Sequence, residues 1–137
     1  MRFELRRVQF MPRVLEPGVL YVAEAFGAAA HLCPCGCGAK VRTPLGPVDW
    51  SLEDGPRGPS LFPSIGNWHQ PCRSHYWIRG GAVVWAEAWT DEEIAAGRAR
   101  EKRRADEYYA SLAGHQPASW LRCLRDWLRA LLRTFGR

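Results

Sequence analysis

No run of residues is apolar for long enough to cross a bilayer, so no membrane-spanning helix is expected within the chain. No apolar leader is expected either, because charged Arg2, Glu4 and Arg6 interrupt the start. Internal repeats are missing, so nothing points to a solenoid. Residues 1–97 lack an excess of either charge, with nine Lys and Arg against ten Asp and Glu. That balance removes electrostatic support for nucleic-acid binding by this part of the chain. The net charge of +5 belongs to residues 98–137, with ten basic side chains against four acidic ones. Cysteine is also scarce, five in 137 residues, yet three fall in one short stretch. Hydrophobic residues make up 47% of the chain, an ordinary share for a globular body with a core of normal size.

That stretch is HLCPCGCGAK, His31 to Lys40, with Cys33, Cys35 and Cys37 at alternate positions. Disulfides between neighbours this close are strained, and three is an odd number. The segment has no bulk with which to fill a core, and its glycines favour a tight turn. Metal binding fits best. Thiolates are ordinary Zn²⁺ ligands, and glycine lets backbone N–H groups turn toward the sulfurs. Further ligands are available in PCRSHYW, at Cys72 and His75. Cys33, Cys35, Cys37, Cys72 and His75 are therefore five candidates for four places. Cys123, in a helical pattern, reads as a small buried apolar residue.

The predicted fold is α+β: a small, mostly antiparallel β body with the cysteine turn, followed by two C-terminal helices. Residues 1–90 form the body and 91–137 a basic helical extension. Strand signals lie in FELRRVQF, GVLYVAEAF, AKVRTPL and DWSLE. HYWIRGGAVVWAEAW reads as two strands around Arg79-Gly80-Gly81, and 54–59 as a loop. Thr90 is placed to cap a helix over 91–114, and Ser119 a second over the amphipathic WLRCLRDWLRALLRTFGR. In the second, Trp120, Leu124, Trp127 and Leu131 share a face opposite arginines. Such a helix suits packing on the body, oligomerisation, or docking to an acidic partner or surface.

PGVLYVAEAFGAAAHLCPCGCGAKVRTPLGPVDWSL and SLFPSIGNWHQPCRSHYWIRGGAVVWA together resemble the bacterial domain-of-unknown-function family 6527 over about Pro17 to Ala86. The motifs that carry the resemblance are Cys-x-Cys-Gly-Cys-Gly, Thr-Pro-Leu, Ser-Leu-x-Pro-Ser-Ile-Gly-Asn-Trp and Pro-Cys-x-Ser-His-Tyr-Trp-Ile. His69-Gln70 departs from the pattern. The resemblance implies a small metal-containing peptidase that works with a ubiquitin-like protein and its E1-like and E2-like enzymes.

Two mechanisms fit these residues. In the preferred one, Zn²⁺ is structural and is held by Cys33, Cys35, Cys37 and Cys72. His75 is then a general base, Ser60, Ser64 or Ser74 the nucleophile, and Asn67 an orienting group or oxyanion donor. In the other, Zn²⁺ is catalytic, with Cys35, Cys37 and one of Cys72 or His75 as ligands and Glu24 as base. Thiolate ligands weaken the Lewis acidity that this second mechanism needs. Taken singly, these serines and Asn67 are commonly turn residues.

The expected function is processing or deconjugation of a bacterial ubiquitin-like protein by a cytoplasmic hydrolase, its tail held by strand addition on VVWAEAW. A zinc-stabilised binding module without activity is the alternative. A salt-dependent nucleic-acid role for the basic tail is a third and weaker reading.

Overall fold

Two four-stranded sheets share one apolar interior in this computed structural model, which describes residues 1–114 and Trp127. The first sheet has the order β1 (Glu4–Arg7), β2 (Val19–Ala23), β3 (Ala28–Leu32) and β4 (Lys40–Pro44). The second runs β5 (Ser51–Gly55), β6 (Gly58–Gly66), β7 (His75–Arg79) and β8 (Ala82–Trp85). A helix, α1, follows at Asp91–Gly114. The chain divides into two compact units, Met1–Arg100 and Glu101–Arg137.

Every strand pair within the sheets is antiparallel except β1 with β2. A parallel pair needs a crossover, and here the connection after Arg7 supplies it. That connection covers the outer face of the first sheet. Leu15, with Val8 and Met11, packs on Val19, Tyr21 and Ala30 there, while Leu20 and Val22 of the same strand face the other way. All five residues of β2 are consequently buried, which is why its sequence is a continuous apolar run and not an alternation.

Between the sheets, Leu20, Val22, Ala29 and Val41 meet Leu61, Ile65, Tyr76 and Ile78, with Phe3 among them. Single bridges join the two sheets at both ends: Leu45 pairs with Trp50, and Arg2 pairs with Ala82. The strands thus form a ring, closed on one side by the first three residues. Phe3 N–H donates to Gly81 O at 2.6 Å, and Val83 N–H to Met1 O at 3.2 Å.

The sequence reading located most of these strands and missed two. β3 is alanine-rich, and alanine has a weak strand preference. β6 contains two prolines and two glycines and read as loop and site. The predicted loop over 54–59 is instead the tight turn of the β5–β6 hairpin, with Gly55 paired to Gly58. The run GVLYVAEAF ends as a 3₁₀ turn at Glu24–Phe26, not as strand. The last hairpin strand stops at Trp85, short of the predicted Trp89. The edge of β8 expected to hold a substrate tail is already engaged at Ala82 and Val83 by the N-terminal residues.

The helix expected after Thr90 is present. Thr90 Oγ1 accepts from Glu93 N–H at 3.2 Å, and Glu93 Oε2 accepts from Thr90 N–H at 2.8 Å, a reciprocal capping box. Asp91, Glu92 and Glu93 fill the first turn, where the helix dipole favours acids. Within Glu101–Gly114, Lys102 pairs with Asp106 one turn on. The second predicted helix, with its Ser119 cap and Cys123, lies outside the described residues. No helix among the described residues is long and apolar enough to cross a membrane.

Candidate active site and cysteine cluster

The β3–β4 hairpin carries three of the cysteines. Cys33 N–H donates to Ala39 O at 2.8 Å and Gly36 N–H to Cys33 O at 3.1 Å, closing the turn. Gly36 and Gly38 have φ of +87° and +75°, a region that side chains disfavour, so glycine at both places follows from the geometry. The fourth cysteine comes from the loop between β6 and β7. Asn67 N–H bonds Ser74 O at 2.9 Å, and Gln70 and Arg73 N–H groups close successive turns between them. Cys72 is thereby set opposite the hairpin.

The Sγ atoms of Cys33, Cys35, Cys37 and Cys72 all lie within 4.8 Å of one another. Cys33 is 3.3 Å from Cys35 and 4.0 Å from Cys72, and Cys37 is 3.7 Å from Cys72. The edge of a tetrahedron of sulfurs around Zn²⁺ is about 3.8 Å, from a Zn–S bond of about 2.3 Å. Four cysteines so arranged can hold a metal ion. Their surroundings suit thiolates. Asn67 Nδ2 donates to Cys33 Sγ at 3.6 Å, and Ser74 Oγ lies 3.1 Å from the same sulfur. The Ser74 backbone N–H, opposed by burial, brings the Cys72 thiol down to about 7. Cys35 behaves oppositely. The Cys37 backbone hydrogen bond lowers its pKa, but hydrogen bonds with the Cys33 and Cys37 thiols outweigh it and push it up to about 12. Crowded thiols resist full ionisation unless a cation compensates them.

His75 opens β7 and is paired across the ladder with Gly66. Between Leu61 and Ile65 the β6 register shifts, so Phe62, Pro63 and Ser64 stand opposite Trp77 alone. Such a bulge turns side chains out of their regular alternation. Ser64 Oγ sits 3.0 Å from His75 Nε2. His75 Nδ1 sits 2.8 Å from the carbonyl oxygen of Glu87. A carbonyl can only accept, so Nδ1 donates to Glu87 O, and in a neutral imidazole Nε2 is then the acceptor facing Ser64 Oγ. Around this pair stand three indoles. Trp68 and Trp89 stack at 5.6 Å with planes 16° apart, and each lies 5.0 Å from the His75 ring. Trp77 is 5.8 Å from it. A Cβ at Gly66 would overlap the Trp68 indole at Nε1 and Cε2.

The remaining sequence candidates fall elsewhere. Ser60 Oγ accepts from Gly80 N–H at 2.8 Å, tying β6 to the β7–β8 turn beside a depression lined by Arg2, Arg57 and Arg79. Asn67 is not brought to His75. Its amide donates to Ser74 Oγ at 2.8 Å and reaches Tyr76 OH at 3.5 Å, on the inward side of the ladder. Ser74 itself is buried against Cys33 and Asn67. Glu24 lies on the surface, ion-paired with Arg7 at 2.9 Å. His75 stands outside the four-sulfur group, with both ring nitrogens engaged.

Three further features border the site; the first, His31, was expected to cap the cysteine turn or donate to a thiolate and instead meets Tyr76. His31 is fully buried, with Nε2 2.8 Å from Tyr76 OH, and burial lowers its pKa to about 4, so it stays neutral. Burial likewise raises the Tyr76 phenol above its ordinary range. The third is the Glu87 carbonyl. Every residue has a carbonyl, so no residue pattern marks this one. The only available signal was the Trp-rich stretch that surrounds it.

Fold and site together define a small two-sheet β protein with a serine–histidine pair on one side of a hairpin and a four-cysteine cluster on the other. The family model of the bacterial ubiquitination-like system serine protease (BubE) matches residues 7–86, more than half of the chain. The chain belongs to that family. Comparison with curated proteins and with solved structures returned no match.

Proposed function

We propose that this protein is a serine peptidase that hydrolyses the bond at the C-terminal tail of a bacterial ubiquitin-like protein, either in its precursor or in a conjugate. The observation that carries this reading is the chain of contacts Ser64 Oγ–His75 Nε2–His75 Nδ1–Glu87 O, at 3.0 and 2.8 Å. Ser64 Oγ attacks the scissile carbonyl carbon while Nε2 takes its proton. The imidazolium then returns that proton to the leaving amine. Water next attacks the acyl-serine with His75 as base, releasing the acid and restoring Ser64. The Glu87 carbonyl fixes the tautomer throughout, the part a carboxylate plays in triads. The family description, a serine protease of a ubiquitination-like system, supports both the nucleophile and the substrate class.

Cys33, Cys35, Cys37 and Cys72 would hold Zn²⁺, which supplies positive charge that keeps four thiolates together. Four sulfurs complete a tetrahedral shell, and His75 has no nitrogen to spare, so the chemistry runs through Ser64. Asn67 and Ser74 brace the cluster and hold the loop that ends at His75. Free thiols in this number suit a reducing compartment such as the cytoplasm. The expected partners are the ubiquitin-like protein and the E1-like and E2-like enzymes of its system.

Purified protein incubated with the cognate ubiquitin-like precursor tests the reading. Cleavage by wild type and none by Ser64→Ala, with metal content unchanged, supports it. Equal cleavage by Ser64→Ala sinks it, and absence of cleavage by wild type moves the protein to a binding role.

A further inference from the structure

The family match ends at Ala86, one residue before the carbonyl that orients His75. The residues that follow form a strap over the site. Glu87 O accepts from His75, and Trp89 stands edge-on to its ring, with planes at 68°. Trp89 is confined on both sides. One face stacks on Trp68, and the edge of its benzo ring meets α1 at Gly97, where a Cβ would lie 2.9 Å from Cζ3.

Glycine inside a helix is a poor helix former and needs a reason. Gly97 is buried, and the indole takes the space its side chain would fill. The start of α1 is itself fixed to the loop that carries Cys72. Arg73 pairs with Asp91 at 2.6 Å, Arg98 bonds His69 at 3.1 Å, and Ile94 is buried. The helix therefore clamps the loop and presses Trp89 against the histidine at the same time.

We infer that Trp89, seated on Gly97, is a positioning residue for His75, and that the first two turns of α1 belong to the active site. This rests on the reading of Ser64 and His75 as the catalytic pair. Its function is to hold the imidazole between Glu87 O and Ser64, where a small displacement lengthens both hydrogen bonds and slows proton transfer without touching substrate binding.

Gly97→Ala in the full-length protein is the test. Alanine is the better helix former but its Cβ meets the Trp89 ring edge, so a merely structural Gly97 predicts a change in thermal stability with unchanged turnover. Positioning predicts that kcat falls about ten-fold or more while KM stays within about two-fold. It also predicts that the His75 Nδ1–H proton resonance shifts. Trp89→Phe in the Gly97→Ala background removes the clashing ring edge and should recover most of the lost kcat. Wild-type turnover by Gly97→Ala with an unmoved His75 resonance overturns the inference. Labelling of wild type with a fluorophosphonate separates the two levels. If Ser64 is labelled and Gly97→Ala is silent, only the strap is wrong. If Ser64 is never labelled, the catalytic pair fails and the strap's role fails with it.

Discussion

At the scale of single residues, hydrogen-bond partners separate serines and histidines that look alike in sequence. Ser60, Ser64 and Ser74 are all small hydroxyls near glycine, cysteine or proline, and nothing in their neighbours ranks them. Ser64 alone of the three meets His75; Ser60 bonds Gly80 and Ser74 braces Cys33. Ser64→Ala is expected to lower kcat by about 10⁴-fold or more in a precursor-cleavage assay, because on the proposed reading it removes the nucleophile and leaves only the rate that binding supplies. Ser60→Ala leaves Gly80 N–H without its acceptor. It should cost about 1 kcal/mol in a denaturant titration and leave kcat unchanged. Equal loss of turnover in the two variants would point to general disruption and not to a nucleophile. Histidine divides the same way. His31 is buried and neutral against Tyr76, a packing role, while His75 touches an acceptor with one nitrogen and a hydroxyl with the other.

At the scale of elements, the cysteine turn was legible because its chemistry is local. Thiols at alternate positions, with proline and glycine between, mark a candidate ligand turn before any fold is known. Cys72 was legible as a partner by residue type, but its place opposite the turn depends on the loop from Asn67 to Ser74. β6 was not legible, since its prolines and glycines argue against a strand and only pairing with β5 and β7 makes it one. Two predictions belong here. Pure protein is expected to carry one metal ion per chain. Cys72→Ser should lose it and lower the melting temperature by about 10 °C or more, because metal binding and folding of the loop are one equilibrium. Metal-replete Cys72→Ser with a wild-type melting curve would show that the other three sulfurs suffice. Gly66→Ala should displace Trp68 from its seat and alter intrinsic tryptophan fluorescence along with turnover, since its Cβ and the indole claim the same space. An unchanged emission spectrum would mean that the indole has room to move aside.

At the scale of the whole molecule, closure of the ring by the first three residues joins distant parts of the chain. Phe3 is buried between the sheets, packs edge-on to His31 at 4.9 Å, and its backbone bonds the β7–β8 turn. Phe3→Ala is expected to cost about 3–5 kcal/mol of unfolding free energy by urea titration, the usual range for emptying a buried aromatic site. A loss under about 1 kcal/mol would mean that the sheets close without it. The same closure engages the beginning of the β8 edge, so on the proposed reading a substrate tail would be seated elsewhere. The near-neutral charge of residues 1–97 was readable from composition and agrees with a site built from hydroxyl, imidazole, indole and thiol groups.

The cysteine turn, the last hairpin, the helix start at Thr90 and the candidates for chemistry could be read from the sequence, because each rests on residues close together in the chain. Alternating thiols, a Gly-Gly turn and a capping box need only neighbours a few residues away. Only the packed fold shows which serine meets the histidine, that Asn67 turns inward, and that a carbonyl and an indole from beyond the family match stand against the histidine. Those outcomes depend on strand register, on the bulge before Ile65 and on the seating of α1. Register and seating are fixed by packing across the core, where residues far apart in sequence compete for the same space.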